Sequence, residues 1–314
     1  MNVRSLYAHL SPADVITIGF LTSLNLLGVV FAPRIPYWWL VLAINLTVSA
    51  AIFWLASASQ KRRSKLLTGL HRWYLYPMVV FVYMEVDLMN RPIHSVDYDY
   101  LLIAIDYWAF GVNPTQWISQ FASPVLTEIL QISYFSYYLL FIAVGLEVYR
   151  THDVRDFDRV GFLVVYGFFL SYLGYFALPA VGPRFTLHDF NLMSQELPGL
   201  LLTEPLRQFV NAGGGISAGA VNPVEIVHRD VFPSGHTQLS LVCLYLAYHY
   251  KLSTRYVMTV LVTLLIISTV YLRYHYVVDL VAGGMFFVFT IVSGHHIEEW
   301  WNRIRNGVAK SGEG

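Results

Sequence analysis

The feature that most limits what this chain can fold into is a series of eight apolar stretches of helical length, at residues 15–31, 38–55, 73–89, 125–148, 160–178, 237–250, 256–272 and 276–292. A bilayer core of about 30 Å is crossed by about 20 apolar residues in a helix. Backbone inside it has no water to bond, so it must satisfy its own hydrogen bonds. The expected fold class is therefore all-α, a polytopic transmembrane helical bundle of about eight spans. Glu85 and Asp87 interrupt the third stretch, and the sixth is short. Composition agrees: 56% of residues are hydrophobic and 13% charged, against roughly 25% charged in soluble domains. A formal net charge of zero gives no electrostatic support for a nucleic-acid partner. The one cysteine, Cys243, sits in an apolar stretch and has no partner for an internal disulfide. The first stretch lacks a small-residue cleavage pattern and reads as a span.

Basic residues orient the bundle, because cytoplasmic loops are enriched in Lys and Arg. An even number of spans puts both termini on one side. With the termini cytoplasmic, only Arg34, Arg91, Arg184, Arg207, Arg229 and Arg273 of the 20 basic residues fall outside, while the others, Arg4, Arg63 and Lys310 among them, fall inside. Four of those six outer arginines lie at or beyond residue 184, a clustering that topology does not account for.

The chain divides into N-terminal transmembrane helices (1–90), an interfacial segment (91–124), a second transmembrane domain (125–297) and a cytoplasmic tail (298–314). In DYDYLLIAIDYW, Leu101, Ile105 and Trp108 recur at helical spacing while Asp99 and Asp106 face elsewhere, the pattern of an interfacial amphipathic helix. The outer segment 180–233 holds Leu200, Leu201, Leu202, Leu206 and Phe209 in a short helix that Thr203 and Pro205 can begin. This segment is either a lid or a filler between helices. The glycines of NAGGGISAG lack the Gly-Lys-Ser/Thr of a phosphate loop and read as a linker.

Three short stretches fall on the same outer surface: GPRF at 182–185, PSGH at 233–236 and RYHYVVD at 273–279. His275 and Asp279 are four apart, on one face of a starting helix. The carboxylate can hold one ring nitrogen and leave the other free to attack. Ser234, Gly235 and the free N–H groups of a helix start can hold an anion. His236 is then placed to protonate a leaving oxygen, and Arg184 and Arg273 offer fork-shaped donors suited to phosphate. His71, His249, His295 and His296 fall on inner or lipid-facing positions; His188 and His228 lie in the active-side loop. His275 with Asp279 could be half of a metal site, but no cysteine or further acidic cluster accompanies them in sequence.

PSGH followed by HxxxD at the start of a later transmembrane helix resembles the type 2 phosphatidic acid phosphatase superfamily of membrane lipid phosphatases and phosphotransferases, over roughly residues 125–295. The resemblance implies a phosphohistidine on His275, an orienting Asp279, a general acid at His236, phosphate binding by Ser234, Gly235 and Arg184, and neither metal nor other cofactor. It implies a phospholipid, polyprenyl or sphingolipid-type substrate, with an alcohol acceptor if the reaction is transfer. Two cations usual in the phosphatase branch are replaced here by Ala177 and Thr269. VYLRYHYVVD with GPRF looks like the inositol phosphorylceramide synthase branch, which transfers headgroups. A phosphodiester carries one charge where a monoester carries nearly two, so fewer cations favour the diester. Hydrolysis of a lipid phosphomonoester by the same histidines, and a non-catalytic lipid binder or transporter, are the alternatives. Glu85 and Asp87 are expected to face a headgroup or reach the interface.

Overall fold

The computed structural model describes residues 9–62, 64–217 and 219–310, with side chains to 305; Arg4 and Arg63 of the inner set, the side chain of Lys310 and the last four residues of the tail lie outside the described residues. Regular structure among the described residues is helical throughout. In chain order the helices are α1 (Pro12–Val30), α2 (Trp38–Arg62), α3 (Lys65–Trp73), α4 (Leu75–Ile93), α5 (Asp99–Phe110), α6 (Pro114–Ile118), α7 (Pro124–Phe135), α8 (Tyr137–Thr151), α9 (Val154–Ala177), α10 (Pro183–Thr186), α11 (Met193–Glu196), α12 (Thr203–Gly213), α13 (Pro223–Ile226), α14 (Gly235–His249), α15 (Arg255–Tyr271) and α16 (Val277–Lys310).

The eight apolar stretches fall mostly in helix, the third broken at Tyr74 and the fourth at Ser136. Four helices are long and apolar enough to cross a membrane, α1, α2, α9 and α16; α7 with α8 makes a fifth if that pair, bent by 46°, is one span. These are the helices of an integral membrane protein. The bend falls at Ser136, whose Oγ donates back to the Ser133 carbonyl at 2.6 Å, a local bond that competes with the helix ladder. At 1.5 Å per residue, α14 (15 residues) and α15 (17 residues) reach only about 22 and 25 Å.

The chain forms two compact units. The first takes residues 9–93, 154–169 and 289–310. α1 starts on a capping box: the Ser11 Oγ accepts from the Asp14 N–H, and the Asp14 carboxylate accepts from the Ser11 N–H. The same buried carboxylate faces His71 Nε2 at 3.0 Å and accepts from the Tyr74 hydroxyl at 2.7 Å, which fixes α3 to the start of α1. Apolar side chains line both the interior and the outer surface of this unit, as beside lipid. Leu26, Trp54, Val80, Met84 and Leu88 are exposed, while the Asn45 amide donates to Asn25 Oδ1 at 3.0 Å and to Glu85 Oε1 at 2.7 Å. Glu85 thus turns into a polar trio among α1, α2 and α4 and not to a headgroup or the interface. Asp87 is half-buried.

The second unit takes residues 94–153 and 170–288. Here α7 packs on α15 and on α12, and α14 on α8 and α15. A core of Leu130, Tyr134, Leu197, Val210, Tyr271, Leu272 and Tyr274 joins these elements. α12 begins at Thr203 and lays Thr203, Arg207 and Val210 inward, at spacings of four and three, while Leu201 and Phe209 stay exposed. Its entry is fixed by one carboxylate. Glu128 accepts the backbone N–H of Leu200, Leu201, Leu202 and Thr203, and the Thr203 hydroxyl, at 2.6–3.2 Å.

Candidate active site

α14 starts because Ser234 caps it: its Oγ accepts from the Thr237 N–H at 3.2 Å. The next residue is Gly235, and a Cβ there would lie 2.6 Å from the Tyr175 hydroxyl, which would have to move. His236 follows in the first turn, its ring stacked on Tyr134 at 4.5 Å and tilted against Tyr137 at 4.3 Å. Aromatic walls on two sides fix the imidazole plane.

The second histidine comes from the turn between α15 and α16. Arg273 reverses the chain with φ of 66°, a left-handed conformation that costs a non-glycine residue about 1–2 kcal/mol. The Tyr274 and His275 N–H groups then both donate to the Thr269 carbonyl, at 2.9 and 3.1 Å. The Thr269 carbonyl is thus the backbone anchor of this turn. His275 is buried. Its Nδ1 faces Asp279 Oδ2 at 3.4 Å, and its Nε2 faces His236 Nδ1 at 3.4 Å. Asp279 is fully buried, and Oδ2 also accepts the Tyr276 N–H at 2.8 Å. The Ser234 N–H donates to the Asp279 carbonyl at 3.0 Å, so the starts of α14 and α16 are joined directly.

The three stretches singled out in the sequence therefore meet. The Arg184 N–H donates to the Arg273 carbonyl at 3.0 Å, tying GPRF to the turn that carries His275. The Arg184 guanidinium lies 4.9 Å from the centre of the Tyr274 ring, which stacks at 4.5 Å on the Tyr134 that walls His236. It donates to Asn211 Oδ1 of α12 at 2.9 Å, so the short helix of the outer segment closes on the site's cation. The side chain of Arg273 goes elsewhere. It pairs with Glu196 and donates to the Ser119 hydroxyl, so its contribution at the turn is its backbone. Arg229 pairs with Asp97, and Arg207 holds the Leu197 carbonyl, Ser194 and Glu204. His188 Nε2 lies 3.1 Å from the Thr115 hydroxyl. Burial, and then the Arg273 charge, hold its pKa down at about 4, so it is neutral at pH 7. Among the described residues no three His, Cys, Asp or Glu side chains gather as a metal site.

The family model described as PAP2 superfamily matches residues 101–293. The chain belongs to the PAP2 superfamily. A PA-phosphatase related-family protein of Dictyostelium discoideum is similar to it, 28% identical over 192 residues, which cover 55% of this chain and 33% of that protein. The chain thus spans about a third of that relative's length. No solved structure matches.

The PAP2 match begins inside α5, whose contribution the sequence reading missed. Leu101, Ile105 and Trp108 are exposed, while Asp99 and Asp106 are buried. Asp99 accepts the N–H groups of Val181 and Gly182 at 2.9 and 2.8 Å and the Tyr276 hydroxyl at 2.8 Å. Asp106 accepts the N–H groups of Val277 and Val278, both at 2.8 Å. Burial pushes both carboxyls up from the usual carboxylate range, and the N–H donors oppose it. The available signal was the seven-residue spacing of two acids in an otherwise apolar helix.

Proposed function

We propose that this chain is a membrane lipid phosphotransferase, moving a phosphate-containing headgroup between lipid or polyol alcohols through a phosphohistidine on His275. The observation that carries the reading is the Asp279–His275–His236 line, with a carboxylate behind one ring nitrogen of His275 and the second histidine at the other. His275 Nε2 attacks phosphorus, the bond to the leaving alcohol breaks, and His236 gives its proton to that oxygen. The acceptor hydroxyl then returns a proton to His236 and displaces the imidazole. Bound phosphate takes the place of the direct contact between the rings, held by Arg184, by Ser234 and by the N–H groups at the start of α14. Arg273 acts one layer out, through its carbonyl on the Arg184 loop. PAP2 membership supports a lipid phosphate as substrate, and no metal or other cofactor takes part.

Transfer is favoured over hydrolysis by the charge around the site. Ala177 and Thr269 are neutral, and Arg207, Arg229 and Arg273 are each engaged by a carboxylate. A site with so few available cations suits the single charge of a diester and the inositol phosphorylceramide synthase branch. Purified protein is incubated with labelled lipid monoesters and diesters, with and without an alcohol acceptor. Label is expected to pass from a diester to the acceptor, at a rate unchanged by a chelator. Free phosphate released from a monoester with no label in any acceptor makes the enzyme a hydrolase; loss with chelator and rescue by added metal refutes the metal-free mechanism.

The site is assigned to the extracytoplasmic side of an eight-span bundle with cytoplasmic termini, on the bias of basic residues. Because Cys243 is buried, single cysteines can be introduced and read without background. Labelling by an impermeant reagent is expected in 180–233 and not in 61–72, and the reverse pattern overturns the orientation.

A further inference from the structure

α5 lies outside the three motifs, yet both loops that build the site hang from it. Asp99 and Asp106 are seven residues apart, so they share one face of the helix, about 10 Å from each other along the axis. The opposite face is apolar and exposed, with Trp108 at 86%. This is the reverse of a soluble amphipathic helix, whose carboxylates would face water. Four carboxylate oxygens are buried, and each accepts at least one donor from a catalytic loop.

The partners explain what the two acids do. Val181 and Gly182 lead directly into Arg184, and their N–H groups end on the two oxygens of Asp99. The Tyr276 hydroxyl, also on Asp99, meets the Thr186 hydroxyl at 2.6 Å. One carboxylate therefore fixes the phosphate loop on both sides of Arg184 and links it to the residue after His275. Asp106 takes the first two N–H groups of α16. That helix follows Tyr276, which has no side-chain oxygen placed to cap it locally, so a cap is supplied from a distant helix. The start of α16 is where Asp279 leaves the backbone to face His275. Displacing it by an ångström would misalign the nucleophile.

We propose that Asp99 and Asp106 are positioning residues of the transfer reaction, Asp99 setting the phosphate loop and Asp106 setting the His275–Asp279 turn. This rests on the active-site reading above. The two carboxylates are predicted to fail differently, which a merely structural role would not produce. Asp106→Asn puts an amide N–H against a backbone N–H at the start of α16. It is expected to lower kcat about 100-fold with KM within about twofold. Asp99→Asn does the same at Val181 or Gly182, and is expected to raise KM and the Kd for orthovanadate about tenfold. Tyr276→Phe removes only one of Asp99's three bonds and should give a smaller shift in the same direction as Asp99→Asn.

Rates are measured per mole of monodisperse full-length protein in lipid nanodiscs, and vanadate binding by calorimetry, which needs no turnover. The expected result is the split, kcat for Asp106 and KM with vanadate Kd for Asp99. Equal losses in both parameters for both variants, or wild-type kinetics in either, overturn the proposal. If Asp99→Asn yields no monodisperse protein, Tyr276→Phe decides for Asp99, and unchanged KM and vanadate affinity in it overturn the proposal; if Asp106→Asn yields none, Asp106→Ala takes its place, and a wild-type kcat in it overturns the proposal. Vanadate binding that weakens in Asp99→Asn while wild-type protein transfers no labelled group separates failure of the transferase reading from failure of this one.

Discussion

His275→Ala is expected to abolish turnover, by about 10⁴-fold or more, the scale on which enzymes lose rate when a nucleophile that acts with its partners is removed. The reason is geometric. His275 Nε2 is the ring nitrogen turned toward His236, while Nδ1 faces the fully buried Asp279. His236→Ala and Asp279→Asn should each cost orders of magnitude. The double variant His275→Ala/His236→Ala should be no worse than His275→Ala alone, because the three side chains act as one unit. Initial rates on a labelled lipid, together with label retained on the protein after an alkaline quench, check this. Label should appear on wild-type protein and on none carrying His275→Ala. Monodispersity by size exclusion separates lost chemistry from lost fold, since Asp279→Asn also disturbs a bond to the Tyr276 N–H. Full activity in His275→Ala would remove the phosphohistidine from the mechanism.

Most of the helices and the two histidines that meet at the candidate site were legible in the sequence, because apolar runs of bilayer length and two short motifs are local signals. What was not legible depends on which way a side chain turns. In α5 the period placed Leu101, Ile105 and Trp108 opposite Asp99 and Asp106, but period alone does not say which face is inward, and beside lipid the soluble rule is inverted. Glu85 failed to reveal itself for the same reason, since its partner Asn45, which also bonds Asn25, lies on a separate helix. Arg273 was read as a phosphate ligand from its place beside His275. Its guanidinium pairs instead with Glu196, 77 residues earlier, and no spacing rule reaches that far. The bend between Phe135 and Tyr137 leaves the run apolar, so a hydropathy window averages it away.

Gly283→Ala is expected to impair the enzyme through backbone contact alone. Gly283 lies one turn beyond Asp279 on α16, where a Cβ would stand 2.6 Å from the Ser234 carbonyl oxygen and 3.0 Å from the Thr237 Cβ. Both neighbours belong to the rigid start of α14, and neither is the end of a flexible side chain, so the helices must separate by a few tenths of an ångström or more. That separation acts on the joint where the Ser234 N–H meets the Asp279 carbonyl at 3.0 Å and His236 meets His275 at 3.4 Å. Overpacking of this kind costs about 1–3 kcal/mol, and a small displacement between reacting groups can cost about 100-fold in rate. The neighbouring glycine supplies the control, because nothing lies within 4 Å of a Cβ on Gly284. Gly284→Ala should keep the wild-type rate and gain about 0.5–1 kcal/mol from helix propensity. Thermal unfolding and initial rates on the two variants decide the matter: a lower Tm and a rate reduced about 100-fold are expected for Gly283→Ala. Wild-type behaviour in both would show that α14 and α16 are not in close backbone contact at the active site.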